Sequence, residues 1–212
     1  MRNSQSALTL VPEQTIDFGE FGGAEMFFYD IDNDGVKEII AYQGPGVFGA
    51  ENLYRQLAFV RDFSPEQHCL TVFKADGTRL WTWGQPNRKP YISHASESCV
   101  GISDLNGDGI PEIVLADGHR ILMFDATGKL LREQSLPYDN YYVLGMLGTE
   151  AKNHEASLVL KNNEIGYDHW QYGQPVVGLN SDLETVWGPR HIPGAGHYIP
   201  SLDLNNDGQN EY

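Results

Sequence analysis

Three stretches of this chain place oxygen-bearing side chains at the same four positions of a nine-residue loop, D-x-[DN]-x-D-G-x-x-E. The first is Asp30, Asp32, Asp34 and Glu38; the second is Asp104, Asn106, Asp108 and Glu112; the third is Asp203, Asn205, Asp207 and Glu211. Alternate residues of a tight loop point toward one centre, and a hard cation such as Ca²⁺ takes about 6–8 oxygen ligands. The backbone carbonyl at position 7, from Val36, Ile110 and Gln209, adds to the set, and the glycine at position 6 permits the sharp turn. Asp, Asn and Gly also favour turns that hold no metal. Three copies with the same donor positions point to calcium.

The elements around these loops are strands. An EF-hand would carry Glu at its twelfth position and continue as a helix, but Ala41 and Leu115 stand there, in the β-prone runs Glu38-Ile-Ile-Ala and Glu112-Ile-Val-Leu. Further on, residues 73–81 (Phe-Lys-Ala-Asp-Gly-Thr-Arg-Leu-Trp) and 124–131 (Phe-Asp-Ala-Thr-Gly-Lys-Leu-Leu) read as hairpins with glycine at the turn. Residues 179–187 are a third copy without the glycine, which implies a preceding unit whose acidic loop has decayed to Thr149, Ala151 and Asn153. No metal is expected between 149 and 157. Unit starts at Asp30, Asp104, Thr149 and Asp203 lie 74, 45 and 54 residues apart, and an insertion at residues 44–67 explains the long first interval.

A period near 50 with about four strands per unit is the pattern of β-propeller blades. Val100, Ile102, Ile113, Leu115, Ile121 and Met123 alternate as half-buried strands do. The expected fold is all-β, with approximate units at 20–87, 95–137, 140–190 and a truncated 195–212. About three blades and the start of a fourth do not close a ring, so the chain reads as a fragment of a larger propeller, with one apolar sheet face left open to self-association. A β-solenoid or twisted sandwich is the alternative, though the repeat is long for a solenoid coil.

Composition narrows the class. Fourteen Lys+Arg against 29 Asp+Glu give a net charge of −15, which argues against nucleic acid, since that surface needs clustered positive charge. No run approaches the ~18 apolar residues of a membrane span, and the N-terminal dozen residues are too polar for a secretory signal. The 23 glycines suit a turn-rich β-protein. Cys69 and Cys99 match no zinc spacing and read as small buried hydrophobes.

The three acidic loops, with their flanking strands, resemble the FG-GAP or VCBS-type repeats of integrin-α-like propellers. That resemblance implies an extracellular, periplasmic or cell-surface protein in which calcium holds the link between blade strands. More narrowly, Gly194-Ala-Gly-His197-Tyr-Ile-Pro-Ser-Leu-Asp203-Leu and the hairpin Asp76-Gly-Thr-Arg-Leu-Trp81 are similar to stretches of the polysaccharide lyases that cleave rhamnogalacturonan. This implies a calcium-rich propeller acting on a uronic-acid polymer, although the chain lacks most of their blades.

Candidate functional residues follow from position. In a propeller the innermost strand of each blade lines the central channel, and the strand before each acidic loop is the candidate for that position. Glu25, Glu97 and His197 fall five to seven residues before the first Asp of a loop, with His94 nearby. Together they suit binding of a uronic acid through calcium and abstraction of the proton α to its carboxylate, the step that β-elimination requires; ordinary strand-edge polar residues are the plainer reading. Phe48, Tyr54 and Arg55 in the insertion suit stacking on sugar rings and pairing with carboxylates, or packing of the loop on its own blade. Trp81, Trp83 and Trp187, at hairpin ends, are expected in the core between blades. Two functions remain open: a polysaccharide lyase, or a non-catalytic calcium-dependent propeller for glycan binding or adhesion.

Overall fold

The computed structural model describes residues 13–44, 68–86, 99–117, 120–136, 141–146, 156–162, 174–193, 199 and 204–205. Among them there is no α-helix, only one 3₁₀ turn at Gly19–Phe21, and no helix long and apolar enough to cross a membrane. The all-β expectation holds. The strands form three four-stranded antiparallel sheets. The first contains β1 (Glu25–Tyr29), β2 (Glu38–Gln43), β3 (Cys69–Phe73) and β4 (Arg79–Gly84). The second contains β5 (Val100–Ser103), β6 (Glu112–Ala116), β7 (Arg120–Phe124) and β8 (Leu130–Ser135). The third contains β9 (Tyr141–Met146), β10 (Leu158–Asn162), β11 (Gln174–Leu179) and β12 (Thr185–Ile192). Each strand pairs with its sequence neighbour, so every sheet is a plain meander. The first two acidic loops each join the first and second strand of their sheet.

The sheets stack face to face in chain order. Ile40, Tyr42, Leu70 and Val72 of the first sheet share one buried cluster with Val100, Ile113, Leu115, Leu122 and Phe124 of the second. The other face of the second sheet, with Val114, Ala116, Ile121 and Met123, meets Leu158, Leu160, Val177 and Leu179 of the third. This changes one expectation. Ile113, Val114, Leu115 and Ala116 are all buried, instead of alternating, because the middle sheet is covered on both faces. The fourth strand of that sheet, β8, is exposed along its length and carries Arg132 and Glu133, the charged composition that protects a sheet edge.

The hairpins repeat one geometry. Gly77 and Gly128 sit at φ 88° and 83°, and their N–H groups bond back to Lys74 O (2.9 Å) and Asp125 O (3.0 Å). In the third copy Leu183 occupies the same place at φ 64°, its N–H 3.0 Å from Asn180 O. A left-handed leucine costs about 1–2 kcal/mol. Its side chain is sealed in the cluster between second and third sheets, and burial of a leucine is worth about 1.5–3 kcal/mol. Packing, not turn propensity, sets this third turn.

The junctions are keyed at corresponding positions. Trp81 on β4 reaches the turn of the second sheet, where its Nε1–H donates to Ala126 O at 2.9 Å. Its ring and that of Trp83 lie 6.0 and 5.7 Å from Phe124. Arg132, which matches Trp81 in hairpin register, forms an ion pair with Asp182 in the turn of the third sheet. Trp81 and Trp83 are thus in the core between sheets, as expected. Trp187 packs on the outer side of the third sheet with Val159, Val176 and Ile199, the last of these from the unit that follows. Cys69 and Cys99 are buried and form no disulfide with each other, and burial pushes the Cys69 thiol up.

Candidate functional site

The first two acidic loops are wired alike. Asp30 Oδ2 accepts from the Gly35 N–H and Asp104 Oδ2 from the Gly109 N–H, both at 2.9 Å. Glu38 Oε2 accepts from the Ile31 N–H at 3.0 Å, and Glu112 Oε2 from the Leu105 N–H at 2.8 Å. Positions 1 and 9 therefore clamp the loop, and both glutamates are buried despite their charge. Burial, and after it the nearby Asp108 and Asp104 charges, raise the Glu112 carboxyl against the lowering bond from Leu105 N–H. Position 6 takes the left-handed conformation in both loops, Gly35 at φ 89° and Gly109 at 88°. Position 4 does so too, through Asn33 at 60° and Gly107 at 79°. Asparagine tolerates that region better than most residues, so the second turn was encoded in the sequence, although only position 6 was read as a turn.

A hard cation fits the first loop. Ligand oxygens of Asp30, Asp32 and Glu38 all lie within 4.8 Å of one another, and an all-oxygen donor set suits Ca²⁺. Asp34 stands outside that group, its Oδ1 accepting from the Val36 N–H at 2.7 Å. In the second loop Asn106 Nδ2 donates to Glu112 Oε1 at 2.5 Å, and Asp108 Oδ1 accepts from the Ile110 N–H at 2.8 Å. The side chains of Val36 and Ile110 are exposed at the loop tips. The two loops also touch: Asn33 Nδ2 donates to Gly109 O at 2.5 Å, tying the first sheet to the second at this rim. No sequence spacing announced that bond.

Of the third loop only Leu204 and Asn205 are described; Asp203, Asp207, Gln209 and Glu211 lie outside the described residues. So do His94, Glu97, His197, Phe48, Tyr54 and Arg55, and the decayed loop at Thr149, Ala151 and Asn153.

Glu25 is the one described member of the proposed acid–base set. It pairs with Tyr42, whereas Tyr29, at the loop end of the same strand, pairs with Glu38. Four residues of strand, about 13 Å, therefore separate Glu25 from the first acidic loop. A cation held in that loop does not reach a substrate carboxylate held at Glu25. Directly paired residues point to one face of the sheet, with Cβ atoms about 4.5–5.5 Å apart, so Tyr42 is Glu25's neighbour. The Tyr42 hydroxyl is 2.7 Å from His68 Nδ1, with the two rings stacked at 6.0 Å. Tyr42 was missed because cross-strand register, not spacing along the chain, brings it to Glu25, and His68 was missed because it meets Tyr42 from the β3 side. The insertion carrying Phe48, Tyr54 and Arg55 also leaves the sheet at this end, directly after β2.

Glu25 Oε2 is buried with no hydrogen-bond partner among the described residues. Desolvation pushes its pKa from 4.5 up to about 7. The folded state thus holds this proton more tightly than the unfolded chain does. Its stabilising contribution is complete below pH 4.5 and is lost as pH rises through about 7. The loss should be about 1–2 kcal/mol once solvent screening of a partly exposed carboxyl is allowed for. Glu25→Gln should flatten that part of the stability profile, read by urea unfolding between about pH 4 and 8, a span that brackets the transition; a profile identical to wild type would show that Glu25 does not titrate there.

The chain matches no protein-family model, and no curated protein matches it either.

Proposed function

We propose that the three sheets are blades of a calcium-stabilised β-propeller, from an extracellular or cell-surface protein that acts on an acidic polysaccharide as a rhamnogalacturonan-type lyase does. The observation that carries the reading is repetition with the same internal wiring. Two loops of one donor pattern join the first and second strands of adjacent stacked meanders, and the third sheet follows the same strand order. Calcium, when bound, supplies positive charge that cross-links each loop. Asp30, Asp32, Asp34, the Val36 carbonyl and Glu38 would hold it in the first blade, with the corresponding residues in the second and third.

Chemistry is placed at the other rim. Glu25, with an oxygen that has no hydrogen-bond partner among the described residues and a pKa of about 7, is suited to take the proton α to a uronate carboxylate at neutral pH. The electron pair then forms the double bond between the α and β carbons as the glycosidic oxygen on the β carbon leaves, and that oxygen takes a proton. Tyr42, paired with Glu25 and held at its hydroxyl by His68, provides a group for orienting the carboxyl or returning the proton. His197, Glu97 and His94 join this set under the same reading, and Phe48, Tyr54 and Arg55 grip the sugar.

Lyase activity forms an unsaturated uronate, so ultraviolet absorbance should rise when the chain is incubated with rhamnogalacturonan in calcium buffer. Glu25→Gln should lower that rate by roughly 10²-fold or more, as loss of a general base does. Binding without new absorbance would favour the non-catalytic glycan-binding or adhesion propeller. Neither binding nor absorbance would remove the carbohydrate reading altogether.

A further inference from the structure

The first two acidic loops part company at position 4, and that difference joins them. The place is left-handed in both, with Asn33 at φ 60° in the first loop and Gly107 at 79° in the second. Glycine adopts such a conformation freely, whereas asparagine tolerates it and brings an amide. Nothing crowds the place in the second loop, where a Cβ on Gly107 would meet no atom within 4 Å. What sets Asn33 apart is its reach: Nδ2 donates to Gly109 O, 76 residues further along the chain, at 2.5 Å. The loops that come next differ as well. An acidic loop follows the first, but the second is followed by the one whose donors have become Thr149, Ala151 and Asn153. The reaching amide stands where the next loop is acidic, and a bare glycine stands where it is not.

Each end of this bridge lies inside the wiring of its loop. Asn33 falls between Asp32 and Asp34, and the Asp34 N–H donates to Asp30 Oδ1 at 3.1 Å and Asp32 Oδ1 at 3.2 Å. At the other end, the Gly109 N–H donates to Asp104 Oδ2 at 2.9 Å. The Gly109 carbonyl shares a peptide group with the Ile110 N–H, which donates to Asp108 Oδ1 at 2.8 Å. A peptide group is planar, so holding Gly109 O also sets how the Ile110 N–H meets Asp108. Asn33 thus fixes, from the first sheet, a peptide that orients a donor carboxylate of the second.

We propose that Asn33 couples the two loops, so that a cation held in the first raises the affinity of the second, and the reverse. The inference rests on the calcium reading and adds regulation to it: adjacent blades fill as a pair. Ordering of Asp32 and Asp34 fixes Asn33 between them. With its amide in place, the second loop has less backbone freedom left to lose on closing. Linkage makes the effect reciprocal, and the net worth of one hydrogen bond sets its size at roughly two- to tenfold in affinity.

Calcium titration of the full chain by amide NMR reads the loops separately, through the Gly35 and Gly109 N–H groups that Asp30 and Asp104 accept. Asp32→Ala disables the first loop, and it should weaken calcium binding at the second, followed at Gly109, by roughly two- to tenfold. In an Asn33→Gly background the same substitution should leave the second loop unmoved. Gly107 shows that the loop accepts glycine at this place. Asn33→Asp, which keeps the size but puts a carboxylate before Gly109 O, should abolish the coupling equally. If neither signal responds to calcium, the metal reading fails and the coupling falls with it. If both respond and Asp32→Ala leaves the Gly109 titration unchanged, or if Gly35 alone responds, the coupling falls while calcium at the first loop stands. Coupling that survives both Asn33→Gly and Asn33→Asp also overturns the proposal, because it then travels by another route.

Discussion

Stripping calcium from the folded chain with a chelator should lower its melting temperature by about 10–20 °C. An ion that binds only the folded state stabilises it by RT ln(1 + [L]/Kd), roughly 2.7 kcal/mol per site at a hundredfold excess over Kd. Two loops give about 5 kcal/mol, and each kcal/mol moves the midpoint of a domain this size by about 2–4 °C. Without the ion, the first loop holds Asp30, Asp32 and Glu38 oxygens within 4.8 Å of one another, and like charges at that range repel. Asp34→Ala or Asp108→Ala should each remove part of the calcium dependence, whereas Thr149→Ala, in the decayed loop, should leave it whole. Because Asn33 Nδ2 ties the first loop to Gly109 O of the second, loss of one ion should also loosen the neighbouring loop. Differential scanning calorimetry with and without chelator makes the measurement. Melting that ignores the chelator, with no heat of calcium binding, would end the metal reading.

The acidic loops were legible because their chemistry dictates residue type at each position. Carboxylates and amides at 1, 3 and 5, glycine at 6 and glutamate at 9 leave few alternatives, and the wiring of Asp30, Asp104, Glu38 and Glu112 follows that template. The meander was legible from hairpins at a regular interval, even where Leu183 replaces the glycine, since its neighbours Asn180 and Glu184 close the same turn. What stayed hidden was whatever depends on faces meeting. Alternation predicted half-buried strands, and only the stacking of sheets on both sides buries Val114 and Ala116 along with Ile113 and Leu115. The pairing of Glu25 with Tyr42 is a matter of register across β1 and β2, and the contact of Tyr42 with His68 of a hydroxyl reaching the residue before β3. The open apolar face expected of the stack is covered on the first sheet by Ile16, Phe18 and Phe21, whose spacing matches neither hairpin nor loop.

The second large effect is expected at Trp81, where loss of the indole should cost about 3–4 kcal/mol, a melting shift of roughly 6–16 °C. Most of that cost is the cavity left between first and second sheets, because the ring fills the space over Gly128 and lies 6.0 Å from Phe124. The remainder is the bond from Nε1–H to Ala126 O at 2.9 Å, worth about 1 kcal/mol. Trp81→Phe should recover most of the packing, losing that bond and the part of the space that the larger indole fills. Arg132→Ala is the informative comparison, since Arg132 makes the corresponding contact one junction later. Its pair with Asp182 is about half exposed on both sides, and exposed pairs contribute only about 0–1 kcal/mol. Urea unfolding of the three variants should therefore place Trp81→Ala far below Trp81→Phe, with Arg132→Ala near wild type. Equal losses at Trp81 and Arg132 would mean that the junctions are held by position alone. A loss at Trp81 alone means that the first junction is locked by a buried ring and the second by its apolar cluster, with the ion pair serving only to orient the turn.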